Sequence, residues 1–252
     1  MNSREFIKLL DDYEINVFDA QTIERHTGMQ YGEWKHITRS LLHNGFIHIL
    51  EKGKYVRHNF SDEKVIGSFV VEKGTLAYWS ALHFHGFTTQ IPNTIFIQSP
   101  QRKISKTILG VQYQFVHILA NQHLGLDTGG FGNNQFYYTN IEKTILDCLH
   151  KPTYGGELPE LIKAINASTL DAQKLIKYAL AMDNRAIVQR LAFYLGICEK
   201  PQMNDFLDFA RDFRSKGYTL LDPDGLDTGK YTTKWNLRLN VSENDVYEMI
   251  KD

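Results

Sequence analysis

Residues Gln30 to His58 read QYGEWKHITRSLLHNGFIHILEKGKYVRH, and two different periodicities meet in them. From Tyr31 to His43 the apolar residues Trp34, Ile37, Leu41 and Leu42 recur at helical spacing, which predicts a helix with one buried face, and Gly45 ends it. Two short β-rich runs follow, Phe46 to Leu50 and Tyr55 to His58, around a Glu51-Lys52-Gly53-Lys54 turn. Runs of this kind flanking a Gly-containing turn predict a β-hairpin. Toward the amino end, Asp19 is placed to cap a helix running to about Thr27, with Gly28 as its stop. Before that, Phe6, Leu9 and Leu10 mark a short amphipathic helix. Helix, helix–turn–helix, hairpin is the order of a winged helix, which lays its third helix in the DNA major groove and its hairpin along the backbone.

The local charge agrees. Between Gln30 and Phe60 five bases face two acids, a net of +3 in a chain whose formal charge is −1. The helical phase that buries Trp34 and Ile37 points Lys35, His36, Arg39 and His43 outward. Arg39 has the fork that fits guanine O6 and N7 or a phosphate, and Lys35 is a point charge suited to phosphate. On the hairpin, Lys52, Lys54 and Arg57 are placed to hold the backbone or minor groove, contacts that set register rather than sequence. These seven residues form the expected site for double-stranded DNA. A winged helix that docks only a protein carries the same pattern, and stays open as the alternative.

Beyond the hairpin, Phe60 to Glu63 reads as a connector, which predicts a winged helix over residues 1–60 and a second domain over 61–252. That second part mixes strand signals with helices. Asn93–Ile97, the alternation of Leu109, Val111, Tyr113 and Phe115, Phe136–Tyr138 and the alternation from Trp235 to Val241 read as strands. Thr75–His85 and five later segments between Ile141 and Arg214 read as helices, and Ser242 with Asp245 opens a last one. Asp222 to Thr233 reads as a polar loop. The predicted class is α/β (α+β): a winged helix-turn-helix followed by a small sheet with several helices. Globular composition, with 42% hydrophobic and 23% charged residues, excludes disordered and coiled-coil classes. Two cysteines exclude a disulfide scaffold, the polar start MNSREFIKLLDD is unlike a secretory signal, and no apolar run spans a bilayer. A cytoplasmic protein is expected.

Candidate chemistry is thin. His83 and His85, two apart on a helix, diverge and cannot close on one metal ion. Gly129 to Asn134 lacks the Lys-Ser/Thr of a phosphate loop and reads as a turn. Asp222, Asp224 and Asp227 do not fit a calcium loop, because Gly225 and Thr233 fall at the wrong positions. Thr139 and Glu142 read as a helix capping box, not as half of a catalytic pair with Asp147. Cys148 and Cys198 read as buried thiols. No catalytic residue, cofactor or metal is predicted; a nuclease or nucleotide-modifying enzyme centred on Glu142 and Asp147 is the rival.

A resemblance sharpens the expectation. Tyr55-Val56-Arg57, then Ala77-Tyr78-Trp79-Ser80-Ala81-Leu82-His83-Phe84-His85-Gly86-Phe87-Thr88-Thr89-Gln90-Ile91-Pro92, Thr94-Ile95-Phe96-Ile97 and Ile141-Glu142-Lys143-Thr144-Ile145-Leu146-Asp147 stand in that order. The set resembles the AbiEi family of antitoxins, predicted transcriptional regulators of phage-defence and type IV toxin–antitoxin operons. That family carries a Ser-Ala-Leu, a His-Gly-Leu/Phe-Thr and a Glu-Arg/Lys-Thr-Leu/Ile-Leu-Asp. The match covers about residues 15 to 200. Lys143 stands where many members have Arg, and the tail from Asn204 does not align. The resemblance implies a non-catalytic protein with two jobs. Its winged helix would bind operator repeats and repress the operon. Its larger domain would counter a nucleotidyltransferase toxin encoded beside it, without forming a stable complex.

Overall fold

A computed structural model describes residues 1–251. It is a mixed α/β protein that divides into two compact units. The first unit comprises Met1–Leu76, Asn93–His117 and Thr128–Tyr138; the second comprises Ala77–Pro92, Ile118–Asp127 and the chain from Thr139 onward.

The first unit opens with α1 (Ser3–Asp12), β1 (Val17–Phe18), α2 (Ala20–Thr27), α3 (Tyr31–His43), β2 (Ile47–Glu51) and β3 (Lys54–Arg57), the element order expected for a winged helix. The Asp19 side chain caps α2 by accepting from the Thr22 amide at 2.8 Å, and Gly28 closes it in the left-handed conformation at φ +73°. The hairpin turn is tighter than the sequence suggests. Glu51 pairs with Lys54, leaving only Lys52 and Gly53 in the loop, and Gly53 takes φ +80°.

One pairing was not legible. The two-residue β1 adds to the far side of β3, Val17 opposite Val56 and Phe18 opposite Tyr55, giving a sheet of order β1-β3-β2. Both faces of this small sheet are apolar. Phe18, Ile47 and Tyr55 pack with Phe6, Leu10, Trp34, Ile37 and Leu41 of the helices. Val17, Leu50 and Val56 pack with Val65, Ile66 and Val70 and with Ile97, Tyr113 and Phe136.

Those partners belong to α4 (Glu63–Val70) and to a six-stranded sheet. After β4 (Thr75–Leu76) and α5 (Tyr78–Phe84), the latter in the second unit, come β5 (Thr94–Ser99), β6 (Lys106–Ile108), β7 (Val111–His117), β8 (Leu126–Phe131) and β9 (Asn134–Thr139). The sheet order is β6-β7-β5-β4-β9-β8, with β5 and β7 parallel. The boundary expected between residues 60 and 61 therefore falls inside a unit. Asp62 is no linker residue: its side chain caps α4 by accepting from the amides of Lys64 and Val65. The glycines expected to form a turn lie largely in β8. Gly130 sits at φ +83°, where a Cβ would come 2.2 Å from the Asn134 carbonyl oxygen, and Gly132 and Asn133 make the turn.

The second unit is mainly helical: α5, α6 (Ile141–His150), α7 (Leu158–Ala167), α8 (Ala172–Met182), α9 (Arg185–Ile197), α10 (Asn204–Phe213) and α11 (Glu243–Lys251). A three-stranded sheet of β10 (Thr219–Leu220), β11 (Lys230–Thr232) and β12 (Leu237–Leu239) has order β10-β12-β11. The helix α9 is its centre: ten of its thirteen residues are buried, so it serves as a core helix rather than an amphipathic cover. The tail that resists alignment is integral here, since Gln189 of α9 donates to the carbonyl of Trp235 at 2.6 Å and Trp235 is buried. Among the described residues no helix is long and apolar enough to cross a membrane.

Candidate nucleic-acid interface

The outward face of α3 depends on how firmly its inward face is fixed. Trp34 is fully buried, stacked on Phe6 at 5.5 Å between centroids and edge-on to Phe18, Tyr31 and Tyr55. Such aromatic clusters are directional as well as apolar. The entry is fixed too: Glu33 accepts from the Gln30 amide at 2.6 Å, and the Gln30 side chain donates to Glu24 of α2. With Trp34, Ile37, Thr38 and Leu41 buried, Lys35, His36, Arg39 and His43 are exposed. None of these four side chains makes a hydrogen bond or ion pair within the described residues. They form a polar, basic row on one rigid helix.

The three expected residues on the hairpin divide. Lys52 is exposed at the tip beside Gly53, but Lys54 and Arg57 are engaged inside the fold. Lys54 Nζ donates to the carbonyls of Phe69 and Val70 at 3.1 and 2.8 Å and lies 5.5 Å over the Phe69 ring. It thereby supplies the last turn of α4 with the donors and positive charge that a helix C-terminus lacks. Arg57 pairs with Asp11 at 2.6 Å, tying β3 to the end of α1. Both read as free cations in sequence because Asp11, Phe69 and Val70 are brought to them only by the fold.

The hairpin also gains a base that sequence reasoning missed. Glu51 Oε2 accepts from Lys103 at 2.6 Å and from Lys106 at 3.1 Å, and its other oxygen lies 3.3 Å from Lys54. Burial pushes this carboxyl up, but the lysine hydrogen bonds and charges more than reverse that and hold it at about 2. One carboxylate thus serves three ammonium groups next to the hairpin turn, and the cluster keeps a net positive charge, with the exposed Arg102 adjacent to Lys103 in sequence. The basic run Arg102, Lys103, Lys106 was the available signal. Between β2 and the residue that follows β3, His48 Nε2 and His58 Nδ1 meet at 2.9 Å, so one imidazole donates and the other accepts.

The residues weighed for catalysis lie in the second unit. The expected capping box is corrected: Asn140, not Thr139, caps α6 by accepting from the Lys143 amide at 3.1 Å. Glu142 is buried and accepts from the Asp171 amide at 3.0 Å, while Thr139 meets Thr144 through their hydroxyls. Asp147 forms an ion pair with Lys143, both fully enclosed. Glu142 and Asp147 are thus engaged with different partners. Cys148 is buried, and desolvation raises its thiol above the usual range; Cys198 is pushed up to about 11 by the same cause. Neither is an activated nucleophile. His85 Nε2 lies 2.8 Å from the Thr139 carbonyl, and His83 and His85 belong to no cluster of three or more metal-ligating side chains among the described residues.

No protein-family model and no curated protein sequence matches the chain. Among solved structures, the fold is similar to that of the RV2827C protein from Mycobacterium tuberculosis, with a TM-score of 0.67 at 12% identity, covering 99% of this chain and 94% of that one. At that identity the likeness is one of fold, and it extends over both units.

Proposed function

We propose that the chain is a DNA-binding transcriptional repressor and antitoxin of a type IV toxin–antitoxin system, which represses its own operon and counters a nucleotidyltransferase toxin. One observation carries the DNA half: Lys35, His36, Arg39 and His43 share the exposed face of a helix whose other face is locked into an aromatic core. Winged helices read bases with that helix and hold phosphates with the hairpin. The antitoxin half rests on the ordered motifs from Ala77 to Asp147.

Titration of operator and random duplexes at several salt concentrations tests the DNA half. Arg39→Ala should weaken operator binding by ~1–3 kcal/mol and narrow its margin over random DNA. Lys52→Ala should weaken both duplexes alike and reduce the salt slope by about one unit. Lys54→Ala, by contrast, should act on stability. Parent-like binding by folded Arg39→Ala and Lys52→Ala variants overturns the DNA reading in favour of a protein-docking module. Growth of cells expressing the adjacent nucleotidyltransferase, with and without the full chain, tests the antitoxin half; absence of rescue overturns it.

A further inference from the structure

The second unit holds a cavity of ≈ 210 Å³ that the DNA reading does not use. Its polar side is built by α9. Arg190 and Tyr194, four residues and hence one turn apart, both line it. Arg190 is only 8% exposed. Its Nε donates to the Leu220 carbonyl at 2.9 Å and its Nη2 to Thr219 Oγ1 at 3.4 Å, which fixes the guanidinium plane. Tyr194 is fully buried, and its hydroxyl has no hydrogen-bond partner among the described residues. A buried hydroxyl left unsatisfied costs about 1–3 kcal/mol, so proteins keep few of them. Burial, then the Asp222 carboxylate, raise this phenol above its usual range, with Arg190 opposing. Tyr194, Arg190 and Asp222 all line the same cavity.

The other walls complete a two-pole site. The N-terminus of α7 opens on the cavity at Leu158, where its cap residue Glu157, which makes no side-chain capping bond, also lines the wall. Asp222 and Asp224 form a negative pole. Leu149, Leu161 and Leu221 line the cavity as well and make it partly apolar. A simple anion meets two carboxylates there, and a simple cation meets a buried guanidinium. We propose that this cavity binds a small zwitterion of the α-amino-acid class, its carboxylate on Arg190 and Tyr194, its ammonium on Asp222 and Asp224, and an aliphatic side chain against the leucines.

The test is calorimetric titration and thermal unfolding of the full chain with L-leucine, the other standard L-amino acids, isovalerate and isopentylamine. An aliphatic L-amino acid should bind saturably and raise the melting temperature by mass action, whereas isovalerate and isopentylamine, each lacking one charge, should not. Because Arg190 is buried and its loss endangers folding, Tyr194→Phe is the decisive variant. Removal of an unpartnered hydroxyl should leave the melting temperature of the free protein unchanged or higher, yet weaken amino-acid binding about tenfold, the effect of one lost hydrogen bond of ~1.4 kcal/mol. Three results overturn the proposal: no amino acid binds, the singly charged analogues bind as well, or Tyr194→Phe binds like the parent.

Discussion

At the scale of single residues, the hairpin shows how one carboxylate organises cations that would otherwise repel. Glu51 sits among Lys54, Lys103 and Lys106. Glu51→Gln should cost on the order of 1 kcal/mol at neutral pH, a figure kept small by the partial exposure of the cluster. The pH dependence has a definite sign. The Glu51 pKa falls from 4.5 to about 2 on folding, so its contribution is complete above pH 4.5 and is lost as pH drops through about 2. Urea titrations of parent and variant at pH 7 and at pH 3 should show the gap between them shrinking at the lower pH. A gap that stays constant would mean the carboxylate is not held down by the lysines. The same residues mark a limit of sequence reading. Lys54 and Lys103 are ordinary surface cations when read locally, and only a fold that brings residues 51 and 103 together makes them structural.

At the scale of elements, local signals were readable and long-range ones were not. Asp19, Gly28 and the Trp34 phase specify α2 and α3 within a few residues of themselves, and those helices run over Ala20–Thr27 and Tyr31–His43, as the sequence predicts. The two-residue β1 has no periodicity of its own and is defined by Val56 and Tyr55, nearly forty residues away. β8 was hidden by its glycines. Arg190 and Tyr194 carried the spacing of one helix face, but their partners Asp222 and Asp224 read only as a failed calcium loop. The helices give two contrasting predictions. Gly32 in α3 has open space where a Cβ would go, so Gly32→Ala should stabilise by roughly 0.5–1 kcal/mol. Gly67 in α4 would place a Cβ 2.7 Å from Tyr113 and 2.9 Å from Ile97, so Gly67→Ala should destabilise by about 1–3 kcal/mol through overpacking. Chemical denaturation of both variants checks the pair; equal effects would mean that α4 does not seat on β5 and β7 through Gly67. Asn140→Ala should cost ~0.5–2 kcal/mol by uncapping α6, while Glu142→Gln keeps an acceptor for the Asp171 amide and should be close to silent in the same measurement.

At the scale of the molecule, the question is where the chain can be cut. Texture alone places the end of the winged helix near residue 60, since connector-like residues follow a hairpin and its helices hold a core of their own around Trp34. The two-faced sheet β1-β3-β2 changes that conclusion. A chain ending at residue 62 lacks α4 and the six-stranded sheet, and so exposes Val17, Leu50 and Val56. Burying each such side chain is worth about 1.5–3 kcal/mol. Three together approach the entire ~5–15 kcal/mol that holds a typical domain folded. Residues 1–62 should therefore melt without a cooperative transition in far-UV circular dichroism and be cut rapidly by protease. Residues 1–138 contain every segment of the first unit and should unfold cooperatively and bind operator duplex, because both faces of the small sheet are then covered. A sharp, operator-binding 1–62 fragment would show that the Trp34 core alone suffices, and would restore a boundary at residue 60. If 1–138 binds and 1–62 does not, the DNA-reading helix takes its rigidity from strands that sequence texture assigns to another domain.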